Sequence, residues 1–96
     1  MSPKNKKRLD IIRKKLDNLD NKFLALIKTR TFLVNEVLKL KDSKSEIIDK
    51  KRIKFILNKI KQKSKKLKID PKISKRIWKN MIWSYIDYEK RNFKKK

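Results

Sequence analysis

Apolar residues recur in steps of three and four through Leu9, Ile12, Leu16, Leu19, Phe23, Leu26, Leu33, Val37 and Leu40, with no helix breaker among them. That spacing is the stripe of one amphipathic helix from about Arg8 to Lys41. Such a helix is roughly 50 Å long at ~1.5 Å per residue, against a diameter on the order of 30 Å for a compact chain of this size. Its own chain cannot cover it, so the pattern predicts an obligate oligomer, with a symmetric dimer as the simplest solution. Arg30 stands at a seam position where a Leu is expected. A seam Arg is either a register device or a ligand group, and the pattern alone leaves both open.

The remaining positions organise into two further helices. Residues 1–7 are polar and read as a frayed tail, and 41–46 break the pattern as a loop. A second helix starts near Ile48 and Asp49, with Asp49 capping its amides and Ile53, Ile56, Leu57, Ile60 and Leu67 on one side. Ile69-Asp70-Pro71 then supplies a hydrophobic residue, an N-cap and a first-turn proline. The third helix shows Ile73, Ile77, Trp78, Met81, Ile82, Tyr85, Ile86, Glu89 and Phe93, with Glu89 the one acid on its stripe, and 94–96 form a lysine tail. Nothing alternates with period two over a useful length. The expected architecture is all-α, one domain spanning 1–96, with helices that are long, shorter and medium.

Charge changes this picture more than length does. The net charge is +22, from 32 Lys and Arg against 10 Asp and Glu, which raises nucleic acid, anionic membranes and small anions as partners. Only six of the 32 cations are Arg, at 8, 13, 30, 52, 76 and 91. Cys, His and Gly are all absent, which excludes thiolate and imidazole chemistry, disulfides, Gly-rich phosphate loops and nucleophile elbows. No apolar run approaches the ~18 residues that a membrane span needs, and the chain reads as soluble and cytoplasmic.

Several of these cations can share a site. Arg30 and Lys41 are 11 residues apart, close to three turns, so on a continuous helix they project from one face about 16 Å apart along the axis. Arg13, 17 residues before Arg30, is too far to join them on its own chain but can do so from a partner chain. With Arg52 at the start of the second helix and Glu89 pointing inward from the third, the result is a pocket of four cations and one acid. Its implied ligand is small and polyanionic.

Leu-Asp-Asn-Leu-Asp at 16–20, Phe-Leu-Ala-Leu-Ile-Lys-Thr-Arg at 23–30, Leu-Val-Asn-Glu-Val-Leu-Lys-Leu-Lys at 33–41, Asp-Lys-Lys-Arg at 49–52 and Ile-Trp-Lys-Asn-Met-Ile-Trp-Ser-Tyr-Ile at 77–86 occur in that order. Together they resemble the AroQ-type, all-helical chorismate mutases over about residues 9–93. The resemblance implies an intertwined homodimer with two active sites and the rearrangement of chorismate to prephenate in aromatic amino-acid biosynthesis. That reaction is unimolecular and uses no cofactor, metal or nucleophile, which suits a chain without Cys, His or Gly.

The resemblance also assigns roles. Arg13 becomes the carboxylate ligand from the other subunit and Arg30 the carboxylate ligand within the chain. Lys41 contacts the ether oxygen and a carboxylate, Asp49 and Arg52 line the hydroxyl side, and Glu89 is the second donor to the ether oxygen. Lys41, Glu89 and Arg30 are thereby the catalytic candidates. Two positions depart from the pattern: Ile53 stands where many such mutases have Glu, and Glu89 where bacterial members often have Gln.

The nearest alternative is isochorismate–pyruvate lyase chemistry in the same pocket, with which an apolar Ile53 is compatible. From a different class, a basic helical nucleic-acid binder draws its support from the +22 charge alone. The lysine clusters spread over termini and helix ends rather than gathering with aromatics on one face, and this disfavours nucleic acid as the main partner. Trp78, Trp83, Tyr85 and Tyr88 sit in a helical context that favours core or dimer packing over base stacking.

Overall fold

A computed structural model describes residues 1–94. All regular structure among them is helical: α1 (Pro3–Lys39), a short 3₁₀ turn (Lys44–Glu46), α2 (Lys50–Lys66) and α3 (Pro71–Asn92). Among the described residues no helix is long and apolar enough to cross a membrane. Of the expected lysine tail, 95 and 96 lie outside the described residues, and Lys94 follows α3 as an exposed residue. The chain divides into two units, Met1–Leu33 and Val34–Lys96.

The N-terminal unit is the larger part of α1. Residues 3–7, expected as a tail, are helical instead. Ser2 Oγ accepts a hydrogen bond from the Asn5 amide at 3.2 Å, and the first intrahelical bond runs from the Lys6 amide to the Ser2 carbonyl. Ser2 and Pro3 are thus an N-cap followed by a first-turn proline, the same signal that Asp70 and Pro71 give later. The seam expected from the sequence is uncovered here. Ile12, Leu16, Leu19, Phe23, Leu26 and Leu33 are 49–65% exposed.

The C-terminal unit holds the core. Leu38, Ile47, Ile82 and Ile86 are buried together, with Ile48, Ile53, Ile56, Leu57 and Phe93 packed against them. Leu38 is not on the seam but beside it, whereas the seam residues Val37 and Leu40 stay exposed. The last turns of α1 therefore carry two apolar faces, and only one serves this unit's core. Tyr88 Oη donates to Asn35 Oδ1 at 2.9 Å and ties α3 to the same end of α1. The helix stops at Lys39 rather than Lys41, because the Leu40 and Lys41 amides bond to the carbonyls three residues back, Val37 and Leu38, and tighten the final turn.

α2 begins as the sequence predicts, with Asp49 Oδ1 accepting from the Arg52 amide at 3.0 Å. Its inner face ends differently. Leu67 is the exposed C-cap, and the buried position on that side is Ser64. The Ser64 hydroxyl is hydrogen-bonded to the Ile60 carbonyl at 2.6 Å and to the buried Ser74 hydroxyl of α3 at 2.7 Å. Two small polar residues meet where the helices pack, each satisfied by the other, which is what makes their burial tolerable. On α3, Asp70 caps the Lys72 amide at 2.9 Å and Ile82, Ile86 and Glu89 turn inward, while Ile73 and Ile77 of the expected stripe are exposed.

The turn from α2 to α3 shows what the lack of glycine costs. Ile69 and Lys68 donate to the Ser64 and Lys65 carbonyls, which places Lys68 in the left-handed position of a Schellman motif, with φ of 56°. A residue with a Cβ is disfavoured there by roughly 1–2 kcal/mol, partly offset by the smaller unfolded-state entropy of a non-glycine residue. Lys68→Gly is therefore expected to stabilise the protein by about 1 kcal/mol, read as a higher denaturant midpoint at unchanged m.

Candidate active site

Glu89 owes its position to helical spacing. Ile82, Ile86 and Glu89 follow one another in steps of four and three on α3, so a carboxylate is carried to the buried face one turn beyond two core isoleucines. It is 8% exposed. A buried carboxylate needs a partner, and the turn after α1 supplies one. Lys41 Nζ lies 2.9 Å from Glu89 Oε2, donating a charge-assisted hydrogen bond between two side chains that are mostly withdrawn from solvent. Among the described residues no buried side-chain polar atom lacks a partner.

This pairing fixes a donor without using it up. The ammonium carries three N–H bonds, of which one goes to Glu89. The turn that ends α1 aims Lys41, and the Tyr88–Asn35 hydrogen bond holds the neighbouring residue of α3 against the same end of α1. Sequence reading had Tyr88 as packing alone. The available signal was that a tyrosine on an inward face brings a hydroxyl that needs its own partner.

The other expected site residues are distributed as follows. Asp49 and Arg52 share the first turn of α2, both exposed, with the Asp49 carboxylate committed to its cap. The Arg52 guanidinium lies 5.3 Å from the ring centroid of Phe55, a cation–aromatic contact along the outer side of α2. Ile53, next in sequence, is half-buried against the core cluster. Arg13 and Arg30 stand on α1 in the N-terminal unit, the first exposed and the second half-buried. Lys41 is not on the helix with Arg30, because α1 ends two residues earlier, so a turn rather than helical phase sets its direction.

The structure thus brings the Lys41 ammonium and the Glu89 carboxylate, 48 residues apart in sequence, into direct contact. The family described as "Chorismate mutase type II" matches residues 12–90. The chain belongs to the type II chorismate mutase family. It is accordingly an enzyme of the isomerase class. A curated chorismate mutase from Methanocaldococcus jannaschii is 36% identical over 72 residues, covering 74% of this chain and 73% of its own length. No solved structure matches the chain. The span matched by the type II chorismate mutase family contains all six candidates, from Arg13 to Glu89, and closes one residue after the buried carboxylate.

Proposed function

We propose that this chain catalyses the rearrangement of chorismate to prephenate, in aromatic amino-acid biosynthesis, at a site containing Lys41 and Glu89. The observation that carries the proposal is the 2.9 Å contact between these two side chains, since they are the pair to which the family resemblance assigns the ether oxygen. In the reaction the ether C–O bond breaks as a new C–C bond forms within one molecule, so no nucleophile or external proton enters. The enzyme holds the dianion in its compact conformer and sets positive charge where the breaking bond leaves electron density. Lys41 is the group suited to that charge. Arg30, and Arg13 from a second subunit, are suited to the carboxylates, and Asp49 and Arg52 to the hydroxyl side.

The second subunit is part of the same reading. A seam that is half or more exposed over six residues of α1 is supported as a contact surface by its length and apolarity, and a two-fold dimer is the simplest closed arrangement. In it, Arg13 of one chain serves the site of the other.

The reading is tested by incubating purified protein with chorismate and, separately, with isochorismate and identifying the products. Prephenate from chorismate supports it; pyruvate release from isochorismate with no turnover of chorismate refutes it.

Glu89 gives a second, narrower test. An ionised carboxylate has no proton to donate and repels a dianion, so Glu89 assists the ether oxygen only in its protonated form. Glu89→Gln, a neutral donor of similar shape, is expected to keep or raise turnover of chorismate, whereas Glu89→Leu, which has no donor, is expected to lower it. A Gln variant that is folded but as slow as the Leu variant would show that Glu89 is not the donor.

A further inference from the structure

The lysines of this chain are not evenly spread. Between Asp49 and Asp70 there are ten Lys or Arg residues and no acid, and all ten are exposed. All ten acids of the chain, Asp49 and Asp70 included, lie outside this stretch, which is α2 and its C-terminal turn. Like charges stand one turn apart at Lys50 and Lys54, Lys59 and Lys63, and Lys61 and Lys65, each pair disfavouring the helix with no acid between them to relieve it.

The outward face of α2 carries more than charge. Ile53, Ile56, Leu57 and Ile60 turn toward the rest of the C-terminal unit, leaving Lys51, Phe55, Asn58, Lys59, Gln62 and Lys66 along the opposite side, all exposed. Phe55 is 51% exposed, and two cations lie against its ring, Arg52 at 5.3 Å and Lys59 at 5.2 Å from the centroid. This is the aromatic among cations on one face that the linear sequence does not display. A lipid surface needs an apolar strip to bury, and here that strip is already spent on the core. A single-stranded polynucleotide needs phosphate partners and a flat ring on which a base can stack; the cations supply the first, and Phe55 offers the second when Arg52 or Lys59 swings from its ring onto a phosphate.

We propose that the outer face of α2 binds single-stranded nucleic acid, with backbone phosphates on Lys51, Lys59 and Lys66 and a base stacked on Phe55. The helix is about 25 Å long, enough for on the order of four nucleotides. None of Lys51, Phe55, Lys59 and Lys66 is among the residues assigned to the reaction, although Arg52, whose guanidinium lies against the Phe55 ring, is.

The test is fluorescence anisotropy of the full chain with a short labelled oligothymidylate, with heparin and a DNA duplex as competing polyanions and phosphatidylglycerol vesicles as a lipid surface. Lys51→Gln/Lys59→Gln/Lys66→Gln is expected to weaken oligothymidylate binding at least tenfold and to lower the salt slope by about 2, with turnover unchanged. Phe55→Ala is expected to weaken oligothymidylate about tenfold while leaving heparin binding within about twofold. Phe55→Leu, which keeps an apolar side chain but removes the ring, is expected to act like Phe55→Ala and separates stacking from a folding defect. Lys4→Gln/Lys6→Gln/Lys7→Gln, an equal charge loss elsewhere, is expected to change binding by less than twofold. The proposal is overturned if that control costs as much as the α2 triple, if the Phe55 variants bind oligothymidylate normally or lose heparin equally, or if duplex or vesicles are bound more tightly than the single strand.

Discussion

Lys41→Met is expected to lower turnover of chorismate by on the order of a hundred- to a thousand-fold, because one preorganised donor to a developing oxyanion is worth ~3–4 kcal/mol. The same substitution strands the Glu89 carboxylate, 8% exposed, without its partner. Losing half of a partly buried ion pair destabilises by roughly 2–3 kcal/mol, since desolvation of the remaining charge is no longer compensated. The two effects separate in the double variant Lys41→Met/Glu89→Leu, which leaves no unpaired charge. Stability returns to near that of the parent while turnover stays low. If the double variant regains both, or if Lys41→Met turns over normally, Lys41 is structural and the reaction happens elsewhere.

The α1 seam gives the other large effect. Phe23 and Leu26 are 60% and 65% exposed in the single chain. Were they truly surface residues, Phe23→Asp and Leu26→Asp would each change stability by less than about 0.5 kcal/mol. In the proposed dimer each substitution instead buries two unpaired carboxylates, one per subunit, and the expected result is loss of both the dimer and the folded chain. Sedimentation and helical circular dichroism read this directly. A folded variant of unchanged hydrodynamic size removes the case for that interface. Placement of Arg13 across the interface is read by co-refolding Arg13→Ala with Lys41→Ala chains. Half of randomly formed dimers are mixed, each with one intact site out of two, so activity returns to about a quarter of the parent's. Verified heterodimers with no activity place Arg13 outside the partner's site.

What was legible in the sequence was mostly what local chemistry decides. Asp49 and the Asp70-Pro71 pair mark helix starts because a short oxygen acceptor and a proline suit orphan amides, and both stand where expected. Glu89 was readable as inward-facing because it shares the phase of Ile82 and Ile86. The errors came from treating periodicity as sufficient. Ser2-Pro3 carries the same starting signal as Asp70-Pro71 in polar surroundings that show no apolar stripe, and charged residues propagate a helix well once it is capped. Ser64 was invisible as a core position, since a hydroxyl is buried only when a specific partner such as Ser74 meets it. Leu38 and Ile47, two of the four core residues, lie off every stripe because the first belongs to the second apolar face of α1 and the second to no helix at all. The candidate site was legible as a set of charges. The contact between Lys41 and Glu89 was not, because Lys41 is aimed by a turn rather than by helical phase.

The hydrogen bond between Lys41 and Glu89 has a meaning for folding as well as for chemistry. It joins the turn after α1 to the last turns of α3, so it is present only when α3 is docked on that end of α1. A chain that has formed its helices without docking them presents a solvated ammonium and a solvated carboxylate, neither held for anything. The proposed site therefore exists only in the docked state, and a chain with formed but undocked helices is expected to be silent. Loss of catalysis in rising denaturant is then expected to coincide with undocking of α3. An assay of turnover becomes, in this protein, a gauge of whether the last helix is in its place.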